Sequence, residues 1–149
     1  ATYDKLFYNL NTTGSTLSPF DSYLLMRGLK TLKLRMEKAT ENARELVTFL
    51  KTLPTVKEVL YTGKGGMISF KVADESKIPT IINRLEVITF AESLGGVESL
   101  ITYPRTQTHA DIPEDVRLSY GLTNDLLRLS IGIEDVDDLK QDLKAALGA

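Results

Sequence analysis

The segment Val59-Leu60-Tyr61-Thr62-Gly63-Lys64-Gly65-Gly66-Met67-Ile68-Ser69-Phe70-Lys71-Val72 sets the architecture of this 149-residue chain. Met67 to Val72 alternates well enough for a half-buried strand, and Gly63-Lys64-Gly65-Gly66 supplies a turn. With Val56 and Val59-Leu60-Tyr61 ahead of it, the pair reads as an antiparallel hairpin with a short loop. Downstream, Ser76 is placed to cap a helix with an apolar face of Ile78, Ile81, Ile82 and Leu85, and Pro79 is tolerated in its first turn. Strands are expected at 87–90 and 99–103. Asp111 and Glu114 have capping-box spacing ahead of a short helix near 112–120. The last strand is 126–131. A closing helix follows, with Asp135, Asp137 and Asp138 at its start and a Val136, Leu139, Leu143, Leu147 stripe.

Upstream, Ser18-Pro19 is a good helix start, since Ser caps free amides and Pro lacks only a donor that would be unpaired there. Apolar residues recur at helical spacing from Phe20, Tyr23 and Leu24 to Leu46, Val47 and Leu50, and Pro54 stops the run. The pattern predicts one long helix through Thr52, with Gly28 as the place for a bend. Residues 1–17 hold Tyr3, Leu6, Phe7, Tyr8 and Leu10 without an evident period, and read as an arm that packs against something else. The expected fold class is α+β, a two-layer α/β sandwich in which a small, largely antiparallel sheet packs against helices.

Composition narrows the function. Eighteen basic and 20 acidic residues give a net charge of −2, which disfavours a nucleic-acid or membrane-surface role based on bulk electrostatics. The absence of Cys removes disulfides, thiolate zinc sites and Cys nucleophiles together, and a single histidine, His109, cannot build a His-rich metal site. No apolar run approaches the ~20 residues of a membrane span, and nothing at the start reads as a signal peptide, so a cytoplasmic location is expected.

Arg128 is the most informative single residue. Period-2 counting puts Leu127, Leu129 and Ile131 on one face of the last strand, and Leu126, Arg128 and Ser130 on the other. Taken alone, Arg128 is either a fork for a ligand carboxylate or a solvated cation on an open sheet face. Glu92-Ser93-Leu94-Gly95-Gly96 is either a tight turn or a place where backbone approaches a ligand closely. His109 beside Thr108, or opposite Ser93, could form a nucleophile–base pair, but a hydrogen-bonded structural histidine is the commoner outcome. No dinucleotide, P-loop or nucleophile-elbow spacing is present.

Taken in order, several strings resemble the C-terminal domain of the Cys/Met-metabolism family of pyridoxal-phosphate enzymes, the trans-sulfuration group of cystathionine β-lyase, γ-synthase and γ-lyase. They are Leu17-Ser18-Pro19-Phe20-Asp21-Ser22, Arg27-Gly28-Leu29-Lys30-Thr31-Leu32, Leu34-Arg35-Met36 and Gly65-Gly66-Met67-Ile68-Ser69-Phe70. Ala91-Glu92-Ser93-Leu94-Gly95-Gly96-Val97-Glu98-Ser99-Leu100, Thr108-His109-Ala110 and Arg128-Leu129-Ser130-Ile131-Gly132-Ile133-Glu134-Asp135 continue them. The resemblance implies the C-terminal domain of a fold-type I enzyme: 1–17 as an arm from a large domain not included here, and 18–149 as the small domain. It implies that Arg128 binds the substrate α-carboxylate and that Ser93 lies beside the catalytic lysine, positioning it and the substrate. Glu92 would line the substrate entrance, and Thr108 would lie near the site.

The cofactor implied is pyridoxal 5'-phosphate, but none of these lysines matches the residue that binds it covalently, so no cofactor-binding residue is assigned here. Nor is any metal ligand. The implied partners are an amino-acid substrate such as cystathionine, the large domain and, at full length, a homotetramer. Glu92 points towards γ-type chemistry, and the short 62–64 segment towards lyase-like relatives. A cystathionine lyase, eliminating across a C–S bond, is the leading expectation, with the fragment alone inactive. The alternatives are a cystathionine γ-synthase or a non-enzymatic amino-acid-binding regulatory module.

Overall fold

In the computed structural model, which describes residues 2–14 and 16–148, β-strands Val56–Leu60 (β1) and Met67–Val72 (β2) form the antiparallel hairpin expected from the glycine turn. Strands Thr89–Phe90 (β3), Leu100–Thr102 (β4) and Leu126–Ser130 (β5) complete a five-stranded sheet of order β1-β2-β5-β4-β3. Only the β3–β4 pair is parallel. The expected strands at 87–90 and 99–103 are real but shorter.

Helices cover one face of this sheet. Ala43, Leu46 and Leu50 of helix Leu32–Leu50 (α3) join Ile78 and Ile81 of helix Ile78–Arg84 (α4) and Leu139, Leu143 and Ala146 of helix Val136–Leu147 (α6). They pack on Ile68, Phe70, Val72, Ile101, Leu127 and Leu129, the core-facing set of β2, β4 and β5. Burying each such large side chain is worth roughly 1.5–3 kcal/mol. This layer therefore fixes which face β5 turns outward.

The chain divides into two compact units, Ala1–Lys33 and Leu34–Ala149. The first holds helices Thr2–Thr13 (α1) and Pro19–Leu29 (α2), neither of which buries a residue. Most of the aperiodic arm expected over 1–17 is thus helical, though Ala1 and Ser15 lie outside the described residues. Tyr3 and Phe7 stack one turn apart, with ring centroids at 6.1 Å, and Gly14 ends the helix with φ +65° and a 3.0 Å bond from its N–H to Leu10 O. Ser18 caps α2 as expected, accepting from Asp21 N–H at 3.1 Å.

The single long helix divides at Lys30-Thr31, just past Gly28, where Thr31 N–H bonds Gly28 O in a tightened turn. Two expected caps also move. Asp74, rather than Ser76, caps the 3-10 turn leading into α4, since its carboxylate accepts both the N–H and the hydroxyl of Ser76. Helix Glu114–Ser119 (α5) has no capping box, and Glu114 instead faces Arg117 and Asn124. Among the described residues no helix is long and apolar enough to cross a membrane.

Asp142, buried on α6, accepts from the N–H groups of Glu86, Val87 and Ile88 at 2.8, 3.1 and 2.8 Å. Three amides before β3 thus find their acceptor on a helix, which explains why the expected strand starts late. Asp142→Ala is expected to cost this chain about 2–4 kcal/mol, because buried donors are left unpaired. Urea unfolding at unchanged slope reads that loss. A shift below about 0.5 kcal/mol would show that water replaces the carboxylate without cost.

Candidate functional site

Because β5 lies between β2 and β4, its outward side chains stand in the middle of the sheet. Arg128 faces Ser69 of β2 on one side and Thr102 of β4 on the other, so the three form one polar rung across three strands. Its strand neighbours on that face, Leu126 and Ser130, are buried, and Arg128 itself is half-buried. Among the described residues Arg128 makes no ion pair and no side-chain hydrogen bond. Nearby acids are engaged elsewhere: Glu58 holds Lys71 at 2.7 Å, and Asp125 faces Lys57 at 3.5 Å. A half-buried guanidinium without an internal counter-charge is a costly arrangement that an external carboxylate relieves.

The 91–97 segment crosses this same face. Thr102, beside Arg128 on the rung, donates its hydroxyl to Ala91 O at 3.0 Å. Gly95 N–H donates to Ser130 Oγ at 2.9 Å, two residues along the strand from Arg128. Gly95 adopts φ +77°, the left-handed conformation glycine allows, so that its amide can aim down at the sheet. Glu92, Ser93 and Leu94 lie between these two pins, exposed, in an arch anchored on either side of Arg128. A cleft of about 240 Å³ opens beside it, lined by Leu94, Gly95 and Ser130 and faced by Gly66, Met67 and Met36.

Three of the expected site residues, Arg128, Ser93 and Glu92, are thus carried by elements pinned to one another. Thr108 stands apart from that network. It lies in the turn after β4, and its hydroxyl is 2.7 Å from His109 Nδ1. His109 is held there through its own N–H to Pro104 O at 2.9 Å. No hydrogen bond among the described residues joins His109 to Ser93, so a nucleophile–base pair between them gains no support. A larger groove of about 470 Å³ lies on the helical side, between α3 and α6. Its cations are engaged, Lys140 by Glu45 at 2.7 Å and Arg44 by Gly63 O at 3.1 Å, so it lacks the free charge found at Arg128.

The residues that sequence reasoning passed over are the pins: Thr102, Ser130, Ser99 and Glu134. Ser99 donates its N–H and its hydroxyl to the Glu134 carboxylate, the latter at 2.9 Å, and accepts Gly132 N–H at 2.9 Å. For Ser130 a signal was present, since the alternation that singled out Arg128 puts Ser130 on the same face. The others pair across more than ten residues or stand among acids already explained by the start of α6.

The geometry is that of an α+β domain with an unpaired arginine beneath a glycine-pinned arch. Comparison with known proteins assigns its family. The model for Cys/Met metabolism PLP-dependent enzymes matches residues 1–148, and this chain belongs to that family. It is 56% identical over 143 residues to a cystathionine gamma-synthase of Haemophilus influenzae, covering 96% of this chain and 39% of that protein. It is 44% identical over 160 residues to a cystathionine gamma-lyase of Bacillus subtilis, covering 97% of this chain and 42% of that protein. Among solved structures, a cystathionine gamma-lyase from Lactobacillus plantarum complexed with L-serine superposes with a TM-score of 0.86 at 38% identity, covering 99% of this chain and 43% of that one. The chain spans about two fifths of the length of these relatives.

The γ-lyase alignment of 160 positions exceeds the 149 residues of this chain, so that lyase carries residues this chain lacks. The γ-synthase alignment has no such excess.

Arg128→Lys in the full-length protein is expected to raise KM for the amino-acid substrate about 10- to 100-fold, as a charge-assisted hydrogen bond worth roughly 1.5–3 kcal/mol is lost with the fork. The melting temperature should hold, since Arg128 braces nothing inside the fold. Unchanged kinetics in this variant would remove the carboxylate role.

Proposed function

We propose that the full-length protein is a pyridoxal-phosphate-dependent enzyme of trans-sulfuration, and that this chain supplies the part of its site that grips the amino-acid substrate. The observation that carries the reading is Arg128: half-buried, unpaired, and bridged by the segment that holds Ser93 and Glu92. Its fork would hold the α-carboxylate through two parallel N–H···O bonds, and this fixes the direction of the bonds at Cα. Ser93 would position the substrate's amino end and the catalytic lysine, Glu92 would face the distal end at the entrance, and Thr108 would stand nearby. That a family member's structure is described as a complex with L-serine, an amino acid with the same carboxylate, is consistent with this assignment.

The described residues do not themselves fit pyridoxal phosphate. Covalent attachment needs an unprotonated lysine amine. Lys71, the lysine on Arg128's face of the sheet, bonds to Glu58, and that hydrogen bond raises its pKa and keeps it charged. The cofactor's anchor is therefore assigned to the part of the protein outside this chain.

Formation of cystathionine is the activity the comparisons support best, because identity is 56% to a γ-synthase against 44% to a γ-lyase. In that reaction the cysteine thiol sulfur bonds to Cγ of an O-acylated homoserine, and the acyl group leaves as a carboxylic acid. The lyase that led on sequence grounds is the second reading, supported by the overlay on the Lactobacillus γ-lyase. It would convert cystathionine and water into cysteine, ammonia and a four-carbon keto acid. A cytoplasmic location and a homotetramer at full length complete the proposal.

The test is product analysis of the purified full-length protein with pyridoxal phosphate. Given O-acetylhomoserine and cysteine it should form cystathionine, faster than it releases keto acid from cystathionine. The 149-residue chain incubated alone with the cofactor should do neither. Robust turnover by that chain alone, or none by the full-length protein, contradicts the proposal.

A further inference from the structure

We infer that Glu134 is a positioning residue: its carboxylate straps the segment that follows Ser93 to the end of β5 and so sets the spacing between Ser93 and Arg128. This rests on the functional reading above. The strap has four hydrogen bonds. Two run from Ser99 to Glu134, one from Gly132 N–H to Ser99 Oγ at 2.9 Å, and one from Ile133 N–H to Val97 O at 2.9 Å. The contact is close enough that a Cβ on Gly132 would fall on the Val97 carbonyl oxygen. From the helical side, Asn42 of α3 donates to Gly132 O at 3.2 Å and to Glu134 O at 2.9 Å, tying the strap to the core layer. Ser99 and Asn42 are both fully buried.

The choice of a carboxylate is what points beyond plain packing. Among the described residues Glu134 has no cationic partner, and Ser99 alone bonds its side chain. A half-buried charge with no counter-charge is a poor stabiliser. What it supplies is two acceptor oxygens converging on the N–H and O–H of one residue, which locks that residue's rotamer and backbone together. A glutamine keeps only one of the two acceptors. With its oxygen on the Ser99 N–H, its amide nitrogen meets the Ser99 hydroxyl as a donor, and the hydroxyl proton loses the oxygen that now accepts it. The arch at 91–97 is thus closed at both ends. Thr102 and Ser130 hold it over the sheet, and Glu134 stops the far end from sliding along β5.

The test uses the full-length holoenzyme with Glu134→Gln and, as a milder variant, Ser99→Ala, which keeps the N–H bond to Glu134 and loses both hydroxyl bonds. Each should lower kcat/KM for the amino-acid substrate about tenfold, the scale of one charged hydrogen bond, without changing the cofactor's absorbance. The decisive arm is coupling. In a Ser93→Ala background, Glu134→Gln should cost less than about twofold, because the group it positions is gone. Full additivity, or wild-type kinetics in both single variants, overturns the inference. If the wild-type enzyme turns over no sulfur amino acid, the functional reading fails, and amide exchange then judges the strap by itself. Exchange at Gly95 and Gly132 accelerated about tenfold by Glu134→Gln supports it, and unchanged exchange overturns it.

Discussion

Arg128 is placed mid-strand on β5, with a sheet neighbour on each side and buried residues two positions away in both directions, and no acid group of the described chain comes to meet it. The helices gather on the opposite, apolar face of the sheet, which leaves the face of Arg128 uncovered by them. The polar rung of Ser69, Arg128 and Thr102 crosses the middle of that face, with Ser130 beside it on β5. Glu58 of β1 and Asp125, just ahead of β5, pair with lysines instead.

A fixed cation is useful only if the groups around it are fixed as well. The segment from Glu86 to Ser99 contains just two residues of strand, β3, and would otherwise be loop. Two carboxylates from outside it supply the missing order: Asp142 accepts three amides at its start, and Glu134 holds Ser99 at its end. Between them Ser130 and Thr102 hold the arch to the sheet. Charge-assisted bonds of this kind are stronger than neutral ones and direct rigidity to the place where exposed side chains must keep their position.

Much of this architecture was legible in the sequence, and what was not had a common cause. The alternation of Met67 to Val72 and of Leu126 to Ile131 named the two central strands and the face of Arg128, because burial on one side of a sheet imposes a period of two. The helix break at Lys30-Thr31 was foreshadowed by Gly28. Helix α1 was missed although Tyr3 and Phe7 stand at helical spacing, because Leu6, Phe7 and Tyr8 are consecutive and Asp4, Lys5, Asn9 and Asn11 are scattered among the apolar residues, which blurs the period. The capping roles of Ser76 and Glu114 failed where another group, Asp74 or Arg117, competed for the same bonds. The strap, the Asp142 nest and the Ser130 pin depend on contacts between residues more than 30 positions apart, which no local pattern records. The family resemblance named Arg128, Ser93, Glu92 and Thr108 together, whereas hydrogen bonds join only the elements that carry the first three, through Gly95 to Ser130 and Thr102 to Ala91.

The account stands on Arg128 holding a substrate's acid group beneath the arch. A crystal structure of the full-length protein with a bound amino acid measures that directly. Two guanidinium nitrogens should lie about 2.7–2.9 Å from the two carboxylate oxygens, with the Gly95–Ser130 bond intact beside them. A ligand whose carboxylate rests on other residues, with Arg128 turned to solvent, would contradict it.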